Sequence, residues 1–249
     1  MEQSFPIFKS HYSIGKSILT LEDPEDSPSG GPDSIIEICK SNELKTLFLV
    51  DDSISGFLQA YTNAKKSNIK LAYGLRITSC SDVTQKNDAS LETNNKIVIF
   101  CKNEAGYKKL MKIASKAATD GFYYEPRIDC SFLKEIWSNE DLMLCIPFYD
   151  SYIFNNVLFG SKCFVDFSFA SPTFFLEDNG LPFDNLIKKK IKKVTEKTQE
   201  VQSVFYKERK DFINYLTFRC ISNRTSLDKP NLNHMGSDSF CFESWKERQ

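Results

Sequence analysis

The sequence predicts an α/β fold in which buried strands alternate along the chain with amphipathic helices. Residues 47–50 and 97–100 are short, uninterrupted apolar runs, which are typical of strands buried on both faces. Residues 56–67 and 104–118 follow these runs and carry apolar side chains at helical spacing. The alternation favours an α/β barrel or a doubly wound sheet, and periodicity alone does not choose between them. The 249 residues suit one barrel-sized domain or two small ones.

The individual elements follow from the same patterns. A Pro-, Gly- and Ser-rich loop at 24–33 precedes a helix that Asp33 or Ser34 can cap. Asn103 caps the helix at 104–118. In the helix at 56–67, Phe57, Leu58, Tyr61 and Ala64 form the predicted apolar side. The predicted strands are 47–50, 69–77, 97–100, 142–146, 163–167, 173–176 and 201–206, and the predicted helices include 56–67, 104–118, 131–137 and 211–221.

Two segments are predicted to lack regular structure. Residues 78–95 are rich in Asn, Asp and Ser, which predicts a mobile polar loop. Residues 223–249 form a polar, turn-rich tail. The basic run at 188–197 offers a local patch for DNA phosphates, although most lysine-rich helices are simply solvated faces.

Composition limits the partners and the compartment. Lys and Arg number 32 against 33 Asp and Glu, so the chain as a whole does not attract nucleic acid, and any DNA contact needs a local basic patch. The eight cysteines include no C-x-x-C pair and no zinc-finger spacing, which predicts reduced cysteines in a cytoplasmic protein. No apolar run reaches the ~20 residues of a membrane span, and the polar start at Met1 predicts no signal peptide.

The segments "KNEAGYKKL" at 102–110 and "GFYYEPRID" at 121–129 are the most specific in the chain. They resemble the PHP (polymerase and histidinol phosphatase) domain that opens bacterial DNA polymerase III alpha subunits. Further similar segments occur in the same order, at 50–56, 61–74, 225–231 and 239–244. The resemblance implies a distorted (β/α)7 barrel of PHP type over 1–249. It also implies that the tail leads into a polymerase palm.

The family binds metal ions at the C-terminal mouth of its strands, mainly through histidines, and this chain has only His11 and His234. Local matching places the family's ligand positions at Ile7, Lys9, Asp51, Asp52, Arg76, Lys96, Cys145, Ser203 and Phe205. Few carboxylates remain there, and three cations repel a metal ion. The resemblance therefore implies a degenerate site with no metal and no catalytic residue, in which Lys9, Arg76 and Lys96 pair with the aspartates.

The resemblance implies a parent DNA-directed DNA polymerase, but no activity is expected in this segment, which lacks the palm. We expect a structural, partner-docking domain in DNA replication. It would contact other polymerase III domains or subunits, and the proofreading exonuclease subunit is the expected partner. Two alternatives remain open. One is a phosphoesterase or 3′–5′ exonuclease with an unusual Zn or Mn set, and the other is a stand-alone PHP-derived binding protein.

Overall fold

A computed structural model describes residues 4–25, 30–161, 163, 165–228 and 236–249. Its centre is a closed mixed β-barrel surrounded by helices. The strands are β1 (Phe5–Phe8), β2 (Thr46–Asp51), β3 (Lys70–Cys80), β4 (Asn95–Cys101), β5 (Arg127–Asp129), β6 (Leu142–Ile146), β7 (Thr173–Leu176) and β8 (Thr198–Val204). The helices are α1 (Ile35–Ser41), α2 (Phe57–Lys66), α3 (Asp88–Leu91), α4 (Glu104–Ala118), α5 (Cys130–Ile136), α6 (Tyr152–Leu158), α7 (Asp184–Val194), α8 (Phe212–Asn223) and α9 (Phe242–Lys246).

Seven of the described strands form the closed ring, in the order β1–β2–β3–β4–β6–β7–β8 and back to β1. Within this ring β4 alone runs antiparallel to its neighbours, β3 and β6. The short strand β5 pairs with the last residues of β3, beyond the ring. The α/β class and the seven-stranded PHP-type barrel that the sequence predicted are therefore confirmed.

Side chains on the strands alternate between the inside of the barrel and the helices, as the two-residue period of a strand requires. The inward set forms a small apolar plug, whereas Leu49 and Ile99 belong to the larger cluster that includes the helices. The plug consists of Ile7, Val50, Val98, Phe100, Cys145, Phe175 and Val201. The plug fills the middle of the barrel. Polar side chains on the inward faces of the same strands therefore lie at the two ends of the barrel.

Helix starts agree with the predicted caps. The Ser34 hydroxyl accepts a hydrogen bond from the Glu37 amide, and the Asn103 side chain accepts one from the Gly106 amide. The apolar side of α2 was predicted wrongly at two positions, because Leu58 is 73% exposed and Tyr61 is 47% exposed, while Ala60 and Ala64 are buried. Small residues one turn apart let this helix lie close to β3.

The predicted mobile loop at 78–95 is wrong at both of its ends. Residues 78–80 continue β3, where Thr78 pairs with Lys96 and with Arg127. Asn95 already belongs to β4, and α3 lies within the remaining connection. Polar composition suggested a loop, but pairing on both sides of β3 extended the strand.

The strand predicted at 163–167 is absent from the described residues of that segment, Cys163 and 165–167. Cys163 and Phe167 are nevertheless buried, so they contribute to the core without joining the sheet. The closed ring leaves no free edge beside β6 or β7 for a further strand.

The tail predicted at 223–249 contains more structure than its composition suggested. Asn223 ends α8, and Phe240, Cys241 and Trp245 are buried against the barrel. The Trp245 indole donates a hydrogen bond to the carbonyl of Ser4, near the start of β1. Residues 229–235, which include His234 and part of the segment at 225–231, lie outside the described residues. Across the described ranges, no helix is long and apolar enough to cross a membrane.

Candidate functional site at the mouth of the barrel

Most of the sequence-predicted site residues meet at one end of the barrel. A cavity of about 290 Å³ lies where the parallel strands end and where β4 begins. Six of the nine predicted positions line it: Ile7, Lys9, Arg76, Lys96, Ser203 and Phe205. The fold thus brings these six positions together at one end of the barrel, while their role as remnants of a metal site stays a prediction. Five cationic residues line the cavity, since Lys16 and Arg219 join Lys9, Arg76 and Lys96.

Lys9 forms the central ion pair of this cavity. Its ammonium group lies 2.8 Å from Oδ1 of Asp52, and Lys16 lies 2.6 Å from Oδ2 of the same carboxylate. The Lys9 side chain is 8% exposed. Lys9 follows β1 and Asp52 follows β2, so the pair connects the ends of two adjacent strands. The predicted pairing of Lys9 with an aspartate is confirmed.

Arg76 and Lys96 take partners that the sequence did not predict. Arg76 donates to Asp150 at 2.6 Å, and Lys96 lies 2.5 Å from Glu125. Lys96 also donates to the hydroxyl of Thr78, its neighbour across the sheet. The sequence predicted that both cations would pair with Asp51 or Asp52, and this prediction was wrong. Asp150 and Glu125 stand on segments far away in the chain, and only the fold brings them to the mouth.

Asp51 lies beside the cavity wall rather than in it. Its carboxylate is fully buried and accepts hydrogen bonds from the amide of Ser10 at 2.8 Å, the hydroxyl of Ser10 at 2.6 Å and the hydroxyl of Ser13 at 2.7 Å. The Ser13 hydroxyl in turn accepts from the amide of Asp52 at 2.9 Å. Asp51 therefore fixes the turn after β1, which carries Lys9 and Lys16 to the mouth.

The charges shift one another's pKa values in a consistent way. Burial lowers the pKa of Lys9 to about 8, although the nearby carboxylate of Asp52 opposes this. Burial by itself would raise the pKa of Asp52, but Lys9, Lys16 and Arg76 outweigh it and hold that pKa well below its usual range. The pKa of Lys96 is lowered by burial against the attraction of Glu125. At neutral pH, Asp52 is ionised between its lysine partners.

Glu177 is a site residue that the sequence reasoning missed. It is 3% exposed and accepts hydrogen bonds from the amide of Ser203 at 3.0 Å, the hydroxyl of Ser203 at 2.9 Å and the side chain of Asn179 at 2.9 Å. Burial raises its pKa. Glu177 follows β7 directly, as Asp150 follows the end of β6 by a few residues. A search for acids just after buried strands would have found both.

The predicted position Cys145 lies away from the mouth, and so does His11, one of the two histidines. Cys145 belongs to the apolar plug, and burial raises the pKa of its thiol to about 12, so it is not a ready thiolate ligand. Pro147, two residues further on, lines the cavity instead. His11 is exposed and its ring packs on Tyr12 at 4.4 Å, outside the lining of the cavity.

The side chains at the mouth do not fit a divalent metal ion. Such an ion needs several carboxylate or imidazole donors facing one point. Here Asp52, Asp150 and Glu125 each accept from a cation, and Asp51 is satisfied by serines. Within the ranges that the structure describes, no group of three or more His, Cys, Asp or Glu could hold a metal.

Comparison with known proteins supports one family. The sequence model of the PHP domain matches residues 29–213. Over 98 residues, 38% of this chain, the sequence is 34% identical to the DNA polymerase III subunit alpha of Borreliella burgdorferi. It is 36% identical over 95 residues to that of Helicobacter pylori strain 26695, and 34% identical over 85 residues to that of Chlamydia muridarum; these two matches cover 37% and 33% of this chain. The matched segments span only 7–8% of the length of these relatives. On the match across residues 29–213 and the closed seven-stranded barrel, the chain belongs to the PHP domain family.

Proposed function

We propose that this chain is a non-catalytic PHP domain of a replicative DNA polymerase III alpha subunit and serves DNA replication as a structural and docking module. One observation carries the proposal. At the barrel end where the family resemblance implies metal ligands, Lys9, Arg76 and Lys96 each bind a carboxylate directly. The positive charge of a metal ion is thus replaced by the positive charge of side chains.

The replacement has a structural function of its own. A metal ion would connect strand ends by binding donors from several strands at once. Here Lys9 with Asp52 connects β1 to β2, and Arg76 with Asp150 connects β3 to the segment after β6. In this proposal the mouth needs neither zinc nor manganese, and the nine predicted positions are remnants of the ancestral site.

Partners are part of the proposal as well. The relatives with similar segments are DNA polymerase III alpha subunits. We therefore propose that the chain assembles with other domains or subunits of such a polymerase in the cytoplasm, and that it docks the proofreading exonuclease. No membrane is involved, and DNA is contacted only indirectly or through a local basic patch.

Metal analysis tests the non-catalytic half of the proposal. The purified chain is incubated with Zn²⁺ and Mn²⁺, desalted and measured by elemental analysis, next to an Asp52→Ala variant. We expect only substoichiometric metal in both proteins and no phosphoesterase or 3′–5′ exonuclease activity in either. Two equivalents of metal in the parent chain, lost in Asp52→Ala together with a nuclease activity, would overturn this half.

A binding experiment tests the docking half separately. The immobilised chain is mixed with the proofreading exonuclease subunit encoded in the same genome. After elution, light scattering measures the molar mass of any complex. A one-to-one complex is the expected result. Absence of any complex at micromolar concentrations would remove the exonuclease from the proposal and leave the metal result unaffected.

A further inference from the structure

A second depression lies at the opposite end of the barrel from the cavity. It is a groove of about 810 Å³ between α2, α4, the beginning of β3 and the end of β4. Lys70 and Leu71 begin β3 there, whereas Arg76 carries the same strand to the cavity. The groove shares no lining residue with the cavity, so any activity of one is separate from that of the other.

Three stacked aromatic rings line the groove. The ring centroids of Phe57 and Tyr107 are 3.8 Å apart with an angle of 21° between the planes. The ring centroids of Phe57 and Tyr61 are 5.8 Å apart with an angle of 17° between the planes. Tyr61 is 47% exposed, although it is a large aromatic residue. The exposed ring of Tyr61 is thus accessible to a planar ligand from the solvent.

The charge of the groove is strongly positive, in contrast to the chain's net charge of -1. Its lining includes four exposed lysines from different elements and a single acid, Glu104. That acid is held at 2.7 Å by Lys108, a residue outside the groove. The four lysines are Lys45, Lys65, Lys70 and Lys102.

We propose that this groove binds single-stranded nucleic acid, with a base stacked on the ring of Tyr61 or Tyr107 and phosphates held by the lysines. Parallel planar rings and a surrounding set of cations are what sequence-tolerant binding of single strands requires. An acidic peptide would satisfy the lysines but would leave the planar stack without a matching group. The Lys65 ammonium lies 5.8 Å from the centroid of the Tyr61 ring, so the exposed aromatic ring has a cation next to it.

The test is a fluorescence anisotropy titration of a fluorescein-labelled oligothymidylate with the 249-residue chain at low salt. The Tyr61→Leu variant keeps apolar volume and removes the ring, so we expect about tenfold weaker binding. Tyr61→Phe keeps the ring and should bind like the parent. Lys65→Glu/Lys70→Glu should weaken binding by at least as much, and the loss should shrink as salt rises.

The matched control reverses two charges elsewhere. Lys189→Glu/Lys193→Glu makes the same change on the exposed side of α7, which is also rich in lysine. This variant should bind the oligonucleotide nearly as the parent does, apart from a small nonspecific loss. Circular dichroism of all variants confirms that each is folded.

Four results would overturn the proposal. They are no binding by the parent at low salt, equal binding of an abasic oligonucleotide of the same length, equal competition by polyglutamate of matched charge, or loss of binding in the α7 variant without loss in the groove variants. Equal competition by polyglutamate would assign the groove to an acidic peptide. None of these outcomes depends on whether the cavity at the other end binds metal.

Discussion

The ammonium group of Lys9 lies 2.8 Å from a carboxylate oxygen of Asp52, and the two side chains are 8% and 23% exposed. Lys16 occupies the second oxygen of the same carboxylate at 2.6 Å and is 38% exposed. Asp52 is therefore shared by a buried and a half-exposed lysine. Removing one member of a buried pair leaves an uncompensated charge, which costs more than replacing the whole pair by apolar groups.

The two halves of this pair should differ in their effect on stability. Asp52→Asn leaves Lys9 buried without its carboxylate, and we expect it to lower the free energy of unfolding by about 3 kcal/mol. Lys9→Met leaves Asp52 with Lys16 and should cost less. Urea unfolding followed by circular dichroism measures both values.

The double variant Lys9→Met/Asp52→Asn, which combines the two single changes, is the control for this pair. Because it removes both charges from the buried region, its cost should be smaller than the sum of the single costs. A strictly additive result would mean that Lys9 and Asp52 do not interact in solution.

Asp52 should also make stability depend on acid. Its pKa is lowered in the folded chain because Lys9, Lys16 and Arg76 outweigh the effect of burial. Below its ordinary value of 3.8, the unfolded chain takes up a proton that the folded chain refuses, so stability is lost as pH falls. The stability difference between the parent and Asp52→Asn should shrink below pH 4 by up to ~1.4 kcal/mol per pH unit. Equal pH slopes for the two proteins would contradict the shift.

Lys9 should make stability depend on pH in the alkaline range. Its pKa falls from 10.5 to about 8 on folding, mainly through burial. Between these two values the unfolded chain holds a proton that the folded chain releases, so rising pH stabilises the folded chain through this group. Relative to Lys9→Met, the parent should gain stability from pH 8 to 10.5 and no further above it. Thermal melts at matched ionic strength measure the difference, and parallel curves would refute it.

Arg127 should keep the segment between β3 and β4 well ordered. It is fully buried, and its guanidinium donates to the carbonyl of Gly121 at 3.2 Å, the hydroxyl of Ser90 at 3.2 Å and the carbonyl of Gln85 at 3.0 Å. Arg127→Met keeps a long apolar stem but leaves these acceptors without a donor. We expect faster tryptic cleavage at Lys86, which lies in that connection.

The control for this prediction is Lys134→Met, which removes a cation whose side chain is 47% exposed and which pairs with Asp166 on the surface. Because Lys134→Met also removes a tryptic site, the comparison is restricted to Lys86, where this variant should be cleaved at the same rate as the parent. If Arg127→Met were cleaved no faster at Lys86, the connection would be held by other contacts.

Features of the fold that depend on a local sequence pattern were predicted well. Asn103 begins a helix because its side chain accepts from an amide three residues on, and this is readable in one turn of sequence. Lys9, Arg76 and Lys96 share the mouth of the barrel because each strand carries its inward residues at a fixed two-residue period, which is also a local pattern.

The sequence could not predict what depends on distant partners. Glu125 reaches Lys96 only because β5 pairs with the end of β3, and Asp150 reaches Arg76 across the barrel mouth. Thr78 looks like a loop residue by itself and becomes a strand residue when β4 and β5 pair beside it. Phe167 is apolar and buried, yet it joins no strand because the ring is already closed.

Strand β4 connects the cavity to the groove and sets the distance between them. The chain enters this strand beside Lys96 at the cavity and leaves it beside Lys102 at the groove. Seven residues at a rise of ~3.3 Å separate the two ends by roughly 20 Å. Because neighbours on both sides hold this strand in register, mutations gathered at one end leave the other end in place. Selection can thus act on the two ends of the barrel independently, so that substitutions at the cavity and at the groove can accumulate separately.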